Sequence, residues 1–298
     1  MFIETSFGSK SYNISEDLEQ RYGKKTALNI LAKTGPKNLF LAATNESSLS
    51  LGHAASKKLV LKNKEITDKA NYLFSVTESP ELLFPGNASA LVSLLNLDEN
   101  ISVFDINAGC TGFVDAIRLS VSLPEPSLIV CSETYSKHLK SFKRSVSSLF
   151  ADAAAAVYFD PKDWELICSK GKTLKNSSEV ISCKHNGEVN MTGNLVYDFL
   201  LSSVLPFLEE ILTKQPDISR AYIHQGSSIV NETIKKKLAK YCKSIPQNLI
   251  EKGNTVSATL PILIKDDTLK NPIKSGESIL LAGFGVGLSC SVCILRKL

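Results

Sequence analysis

The segment around Cys110 has the composition of a nucleophile site. It runs from Phe104 to Phe113, an apolar stretch of strand length that ends in small residues just before a helix-like segment. Small residues permit a sharp turn and the close approach of a substrate. The free N–H groups of a helix N-terminus favour a thiolate over a thiol. This placement predicts a cysteine that accepts acyl groups, although a buried cysteine that only packs is equally compatible with the segment.

Two polar residues occur later in the chain, where such a cysteine could find partners. His224 follows the short apolar strand Ala221–Ile223 and precedes a helix, and Asn254 stands in the loop Gly253–Thr255. A lone histidine is usually structural, and a Gly-Asn pair is usually a turn. It is the order of the three residues, each at a strand or loop end, that makes them a candidate set.

The elements that must position these residues are those of an α/β chain, because apolar runs of strand length alternate with amphipathic segments of helix length. Seven segments are predicted as strands: Leu73–Thr77, Ser102–Ile106, Leu128–Cys131, Ala153–Phe159, Ala221–Ile223, Ser278–Ala282 and Leu288–Leu295. Four are predicted as helices: Asn87–Leu97, Thr111–Ser122, Leu195–Leu212 and Ser228–Tyr241. A division at Asp160 separates residues 1–160 from residues 161–298 as two predicted domains.

Composition excludes several classes of protein. Hydrophobic residues make up 43% of the 298, enough for a large core, and a net charge of +4 is too small for a general nucleic-acid binder. The first residues lack the pattern of a signal peptide, and an odd number of cysteines, seven, favours thiols over a disulfide framework. We therefore expect a cytoplasmic protein. The uncharged stretch Ser278–Leu295 is rich in glycine and serine, so it is predicted as two buried strands rather than a membrane span.

Taken together, these segments resemble β-ketoacyl-acyl-carrier-protein synthase III and its thiolase-fold relatives over nearly the whole chain. The similar segments, in family order, are Leu83–Pro85, Phe104–Phe113, Phe150–Ala156, Met191–Gly193, His224–Gln225, Gly253–Thr255 with Ser257, Ala258 and Pro261, and Phe284–Gly287. The resemblance implies a thiolase-like five-layer α-β-α-β-α fold of two similar halves. The first half would carry Cys110, the second half His224 and Asn254, and the active site would lie between them in a homodimer.

The resemblance also implies a role for each site residue. Cys110 would be the acylated nucleophile, with His224 and Asn254 forming the site for the second substrate. Decarboxylation of a malonyl thioester builds negative charge on its carbonyl oxygen, and two neutral donors stabilise that charge without quenching the carbanion. The backbone N–H groups of Cys110 and Val286 are the expected oxyanion hole for acyl transfer, although most of the family have glycine where Val286 stands. Phe84 is expected to reach the acyl pocket of the neighbouring subunit and to limit acyl length.

The implied substrates are acyl-coenzyme A or an acyl-carrier protein as donor, and malonyl-carrier protein as the second substrate. No tightly bound cofactor and no metal are implied. Arg144 falls where the family has an arginine against the nucleotide, whereas the tryptophan that commonly stacks on the adenine is missing, which favours a carrier protein as donor. Lys236, Lys240 and Lys243 are predicted to form a stripe on the helix that begins at Ser228. That stripe would steer an acidic carrier protein or would be a plain solvated face.

Three functions stay open from the sequence. The first is a decarboxylating Claisen condensation, which the presence of both His224 and Asn254 favours. The second is an acyltransferase that moves the acyl group from Cys110 to an amine or a hydroxyl, for which the histidine would serve as general base. Val286 and the altered run Gln225–Ser227 keep this alternative open. The third is a non-catalytic partner subunit, against which the complete set of Cys110, His224 and Asn254 argues.

Overall fold

The computed structural model of the chain describes residues 1–139, 142–144, 146–185, 187–215 and 217–298. Within this part of the chain the strands are Phe2–Phe7 (β1), Lys10–Asn13 (β2), Asn38–Leu41 (β3), Tyr72–Val76 (β4), Ser102–Ile106 (β5), Ser127–Glu133 (β6), Ala153–Phe159 (β7), Trp164–Thr173 (β8), Ile181–Ser182 (β9), Asn190–Met191 (β10), Ile218–Ile223 (β11), Cys242–Ser244 (β12), Ser278–Gly285 (β13) and Ser289–Lys297 (β14). The α-helices are Ile14–Tyr22 (α1), Lys24–Thr34 (α2), Ser48–Lys62 (α3), Ile66–Lys69 (α4), Asn87–Leu95 (α5), Gly109–Ser120 (α6), Gly193–Phe199 (α7), Leu205–Lys214 (α8), Ser228–Leu238 (α9), Leu249–Lys252 (α10) and Thr259–Thr268 (α11).

Two five-stranded mixed sheets carry the fold, and both have the same pattern of strand directions. The strand order is β1-β7-β6-β4-β5 in the first sheet and β8-β14-β13-β11-β12 in the second. In each sheet, taken in this order, the first two pairings are antiparallel and the last two are parallel. The repeated pattern confirms the predicted α/β fold of two similar halves. The division of the chain into two domains at Asp160 stays a prediction.

The helices form three layers around the two sheets. Helices α6 and α11 lie between the sheets, where Phe113 of α6 and Leu263 of α11 share one core cluster with Ile129 of β6 and Leu281 of β13. Helices α3 and α5 cover the outer face of the first sheet, and α8 and α9 cover the outer face of the second. Each fully buried large apolar side chain in these layers contributes roughly 1.5–3 kcal/mol. The order of layers is therefore α-β-α-β-α, as predicted.

The predicted strands are all present, with ends that differ by a few residues. The uncharged stretch forms β13 and β14, an antiparallel pair, which confirms two buried strands. The predicted helix Leu195–Leu212 is wrong in one respect, because a π-helical turn at Leu200–Val204 separates α7 from α8. In the described ranges, no helix combines the length and apolar character needed to cross a membrane.

Strand direction brings the chemically interesting residues to one place. Strands β4, β5 and β6 are parallel to one another, so their carboxyl ends meet at the same edge of the first sheet. Cys110 follows β5, Glu78 follows β4, and Glu133 ends β6. His224 directly follows β11 in the second sheet.

Candidate active site

The structure brings the three predicted catalytic residues together. A cavity of about 330 Å³ is lined by Cys110, His224 and Asn254, and also by Val286, which was predicted for the oxyanion hole. The first comes from one half of the chain and the others from the second half. The cavity is therefore formed by both halves, as the resemblance implied.

Cys110 occupies the first turn of α6, one residue after a backbone turn that requires glycine. Gly109 has φ +46°, and a Cβ atom there would lie 2.6 Å from Cδ of Glu78. Strand β13 packs directly against the same turn, because its glycines have no side chain to separate the two backbones. A Cβ on Gly283 would lie 2.4 Å from the Cys110 carbonyl oxygen, and one on Gly285 would lie 2.9 Å from Cys110 Sγ. This packing leaves the thiol largely buried at the wall of the cavity.

The electrostatic surroundings of Cys110 differ from the sequence prediction. The backbone N–H groups of Val286 and of Cys110 itself hydrogen-bond Sγ and lower the pKa of the thiol. Burial acts against them and is the largest effect, and the negative charges of Glu78 and Glu133 add to it. The pKa of Cys110 is consequently raised well above its ordinary value. The expectation that the helix N-terminus favours a thiolate is therefore wrong for the unliganded site, because desolvation and two carboxyl groups outweigh the first-turn N–H groups.

His224 is held as a neutral ring. Its backbone N–H donates to the carbonyl of Ala282 in β13 (2.9 Å), and its ring meets the ring of Phe284 edge to face at 5.7 Å. Burial lowers the pKa of His224 to about 3. Its Nδ1 has no hydrogen-bond partner among the described residues. At physiological pH the ring is uncharged and can donate only one N–H, from whichever nitrogen carries the proton.

Asn254 is fixed by its own loop. Its side-chain oxygen accepts from the backbone N–H of Val256 (2.9 Å), and its Nδ2 donates to the carbonyl of Gly226 (3.3 Å). Its backbone N–H and carbonyl bond Leu149 and Ala151 of the first half. An amide NH₂ has two hydrogens, and one of them is not used by Gly226. The loop therefore ties the halves together and leaves one amide donor for the cavity.

Gln225–Ser227, the run after His224 that is altered relative to the family, forms hydrogen bonds with neighbouring elements. The side-chain oxygen of Gln225 accepts from Nδ2 of Asn231 (2.9 Å) and from the backbone N–H of Asn248 (3.3 Å). Ser227 caps α9, with its hydroxyl accepting from the N–H of Val230. This run therefore fixes the start of α9 against α10.

Asp152, in the segment Phe150–Ala156, holds loops together by hydrogen bonds. Its buried carboxylate accepts from the backbone N–H groups of Ala42 (2.7 Å) and Ser136 (2.9 Å), and also from the Ser136 hydroxyl. Burial raises its pKa despite these bonds. The residue holds two loops of the first half and lies outside the residues that line the cavity.

The predicted lysine stripe is wrong in its geometry. Helix α9 ends at Leu238, so Lys240 lies beyond it and Lys243 lies in β12. Lys240 is 3.8 Å from Glu209, and Lys243 forms an ion pair with Asp217. Lys236 is exposed on α9, as predicted.

Sequence reasoning missed Lys33, an exposed lysine that lies among the residues lining the cavity.

Neither Phe84 nor Arg144 is among the residues that line the cavity. Phe84 is 86% exposed in the loop before α5, and Arg144 is an exposed residue whose guanidinium lies 6.0 Å from the ring of Tyr22. Their predicted contacts, with a second subunit and with a nucleotide, stay predictions.

Sequence reasoning also missed two acidic residues beside Cys110. Burial and the charge of Glu133 raise the pKa of Glu78 to about 8. Burial raises the pKa of Glu133 to about 7, although several hydrogen bonds act in the opposite direction. The only signal in the sequence was position, since Thr77 to Ser79 follow a strand adjacent to the one that leads to Cys110.

Comparison with known proteins identifies one family. Residues 104–172 match the family model described as 3-oxoacyl-[acyl-carrier-protein (ACP)] synthase III, and residues 208–297 match the model of its C-terminal part. Together the two matches span more than half of the chain. A beta-ketoacyl-[acyl-carrier-protein] synthase III of Streptococcus pneumoniae (strain Hungary19A-6) is 25% identical over 291 residues, which covers 89% of this chain and 89% of that protein.

Solved structures share the fold. The crystal structure of 3-oxoacyl-[acyl-carrier-protein] synthase III from Aquifex aeolicus VF5 matches with a TM-score of 0.88 at 21% identity, over 99% of this chain and 98% of that one. The priming beta-ketosynthase of the R1128 polyketide biosynthetic pathway matches with a TM-score of 0.88 at 19% identity, over 99% and 94%.

Proposed function

Because this chain belongs to the 3-oxoacyl-[acyl-carrier-protein] synthase III family, we propose that it condenses an acyl group with malonyl-carrier protein. Cys110 takes the acyl group from acyl-coenzyme A or an acyl-carrier protein and holds it as a thioester. The malonyl thioester then loses carbon dioxide, and the resulting carbanion attacks the acyl group on Cys110. Both groups arrive as thioesters, so the reaction needs no metal and no redox cofactor.

The observation that carries this proposal is the uncharged state of His224 beside Asn254 and Cys110 in one cavity. Loss of carbon dioxide leaves an enolate, whose oxygen needs hydrogen-bond donors. A protonated imidazole would pass its proton to the enolate carbon, whereas a neutral ring N–H and the free hydrogen of the Asn254 amide stabilise the oxygen without that loss.

The first step has its own set of donors. The backbone N–H groups of Cys110 and Val286 hydrogen-bond Sγ in this structure. When an acyl group arrives, the oxyanion forms on its carbonyl oxygen, two bonds from Sγ, and the same two N–H groups are the donors nearest to that oxygen. A backbone N–H is available from valine as well as from glycine. Val286 therefore supports the same oxyanion hole as the glycine found in most of the family.

The alternative, transfer from Cys110 to an amine or a hydroxyl, is less well supported. It assigns the role of general base to His224, whose pKa of about 3 makes its ring a poor proton acceptor at the working pH. The donor could still be either thioester. Lys33, at the cavity, and Lys236, on α9, supply positive charge for the phosphates of a pantetheine arm or for an acidic carrier protein.

We also propose that two copies pair through the edge of the first sheet. Strand β5 is the last strand of that sheet, and its Phe104 is 49% exposed. Phe84, 86% exposed, lies in the loop before α5, the helix that packs on β5. Exposed aromatic side chains next to an unpaired strand edge suit a pairing surface. Light scattering should give twice the chain mass, and Phe104→Asp should give a monomer.

The test of the condensation is an assay with acyl-coenzyme A or acyl-carrier protein and malonyl-carrier protein. We expect carbon dioxide and a ketoacyl-carrier protein from the wild type. His224→Gln and Asn254→Ala should each lower product formation by roughly 10²–10³-fold, while acylation of Cys110 stays within about threefold. His185→Gln, which changes an exposed histidine outside the cavity, is the control. Equal loss of acylation and condensation in both active-site variants would contradict the division of roles.

A further inference from the structure

Glu78 lies against the turn that carries the nucleophile. The Glu78 carboxyl approaches Gly109 so closely that a Cβ on Gly109 would lie 2.6–2.8 Å from three of its atoms. Gly109 directly precedes Cys110, and the charge of Glu78 is the largest effect of any single charged group on the Cys110 thiol. The carboxyl group is therefore a neighbour of the reacting sulfur.

Glu133 holds the loop that carries Glu78. Its carboxylate accepts from the backbone N–H of Glu78 (3.1 Å) and from the hydroxyls of Ser257 (2.6 Å) and Ser79 (3.0 Å). Ser257 belongs to the loop that begins with Asn254. Glu133 thus connects the ends of β4 and β6 with the second half of the chain, and its oxygens are occupied by these donors.

The carboxyl group of Glu78 has no such donors. Its backbone N–H bonds Glu133, but its side-chain oxygens accept no hydrogen bond from the described residues. The ionisable groups around it are acidic: Glu133 on β6, Cys110 on α6 and Tyr135 after β6, whose pKa the charge of Glu78 also raises. Two neighbouring carboxyl groups without a cation share a proton, and Glu133, the partner that accepts the hydrogen bonds, retains the charge.

We propose that Glu78 is the proton acceptor for the Cys110 thiol and the proton donor to the departing thiol during acyl loading. This role rests on the proposed function, because it requires a thioester donor. Glu78 acts in the fraction of molecules in which it is ionised, a fraction set by its pKa of about 8. That carboxylate takes the proton from Sγ as Sγ bonds the thioester carbonyl carbon. When the tetrahedral intermediate collapses, the bond to the departing sulfur breaks and Glu78 returns the proton to it. Atoms, charge and protons balance, and the carboxyl ends ionised.

Two observations favour Glu78 over the other groups for this task. The thiol of Cys110 is un-ionised at neutral pH, so its attack requires a base, and His224 has a pKa far below that of a thiol. Glu78, with a pKa of about 8, is matched to the departing thiol, whose ordinary pKa is near 8.5, and its pKa lies closer than that of His224 to the raised pKa of Cys110. A proton acceptor works best when its pKa is close to those of its partners, because transfer in either direction then costs little.

Glu78→Gln tests the proposal, with Glu81→Gln as the matched control from the exposed part of the same loop. Two rates are measured on folded protein: acyl transfer from acyl-coenzyme A to Cys110, by rapid quench and intact mass, and alkylation of Cys110 by iodoacetamide from pH 6 to 10. We expect acyl transfer to fall on the order of 10²-fold in Glu78→Gln. The pKa of Cys110 in the alkylation profile should fall, because a negative charge next to the sulfur is removed. Glu81→Gln should match the wild type in both.

The two rates separate the possible failures. Acyl transfer at the wild-type rate in Glu78→Gln would overturn the proton-transfer role, whereas a decrease in both rates would show only a structural role. A wild type that takes no acyl group from any donor, while alkylation still reports the shift in the Cys110 pKa, would overturn the proposed function instead. In that case the acyl-loading role fails with it, and the electrostatic contact between Glu78 and Cys110 is retained.

Discussion

Replacement of Gly285 by alanine should disable the nucleophile while leaving the fold in place. Gly285 ends β13 and lines the cavity, and a Cβ on it would lie 2.9 Å from Sγ and 3.0 Å from Cβ of Cys110. Ordinary carbon contacts are about 3.5–4.0 Å. Either Sγ or the start of the next turn, which carries the Val286 N–H, must therefore move by at least about half an ångström. The backbone at Gly285 (φ +156°) adds to the cost.

The size of the effect follows from the displacement. A shift of about 1 Å at a reacting centre costs roughly 10²-fold in rate, so half that shift should cost on the order of tenfold to 10²-fold. Overpacking of this kind lowers the free energy of unfolding by about 1–3 kcal/mol. Gly193→Ala is the matched control, because Gly193 lines the same cavity but a Cβ there meets nothing within 4 Å.

The assay is the rate at which Cys110 gains an acyl mass from a thioester donor, together with urea unfolding of each variant. We expect Gly285→Ala to lose most of that rate and Gly193→Ala to stay within about threefold of the wild type. Wild-type acylation in a folded Gly285→Ala variant would refute the close contact between β13 and the Cys110 sulfur.

Three further predictions concern pH and stability. The rate of condensation should show no inflection from His224 between pH 5 and 8, because its pKa of about 3 keeps the ring neutral throughout; an inflection near pH 6.5 that His224→Gln abolishes would contradict the neutral ring. As pH rises from 4.5 to 8.5, Glu78→Gln should become more stable relative to the wild type, by up to about 5 kcal/mol. The folded pKa of about 8 lies above the ordinary 4.5, so the wild type loses the stability due to the protonated group as pH rises through that window, and the variant does not. Urea unfolding at both pH values measures the difference, and equal pH dependence in the two proteins would be the contrary result. Asp152→Ala should lower the free energy of unfolding by about 2–4 kcal/mol, since the N–H groups of two loops lose their buried acceptor; a loss below about 0.5 kcal/mol would show that water replaces the carboxylate.

The sequence was sufficient for the residues that follow apolar strands. Cys110 and His224 each stand between an apolar run and an amphipathic helix, and this local pattern survives in β5–α6 and β11–α9. The central helix α11 was missed because it is buried between the two sheets. Its residues Thr259–Ile264 are all buried, so this part of the helix has no polar face and no 3.6-residue period to detect.

Other features depend on contacts that no local pattern records. The prediction of a lysine stripe was wrong because it assumed that the helix continues beyond Leu238, where α9 ends. Glu78 and Glu133 are 55 residues apart in the chain and meet only because β4 and β6 are parallel neighbours. Burial raises the pKa values of both residues, and the charge of Glu133 adds to the effect on Glu78. The composition of the two loops predicts neither the burial nor the contact.

The most direct test of the proposed function is the intact mass of the protein after mixing with an acyl donor and after a chase with malonyl-carrier protein. The wild type should gain one acyl mass, Cys110→Ser should gain none, and the chase should remove the adduct with release of carbon dioxide and formation of a ketoacyl-carrier protein. An adduct that survives the malonyl chase but is discharged by an amine or an alcohol would contradict condensation and support the acyltransferase. A failure to gain mass from any donor would contradict the assignment of Cys110 as the nucleophile.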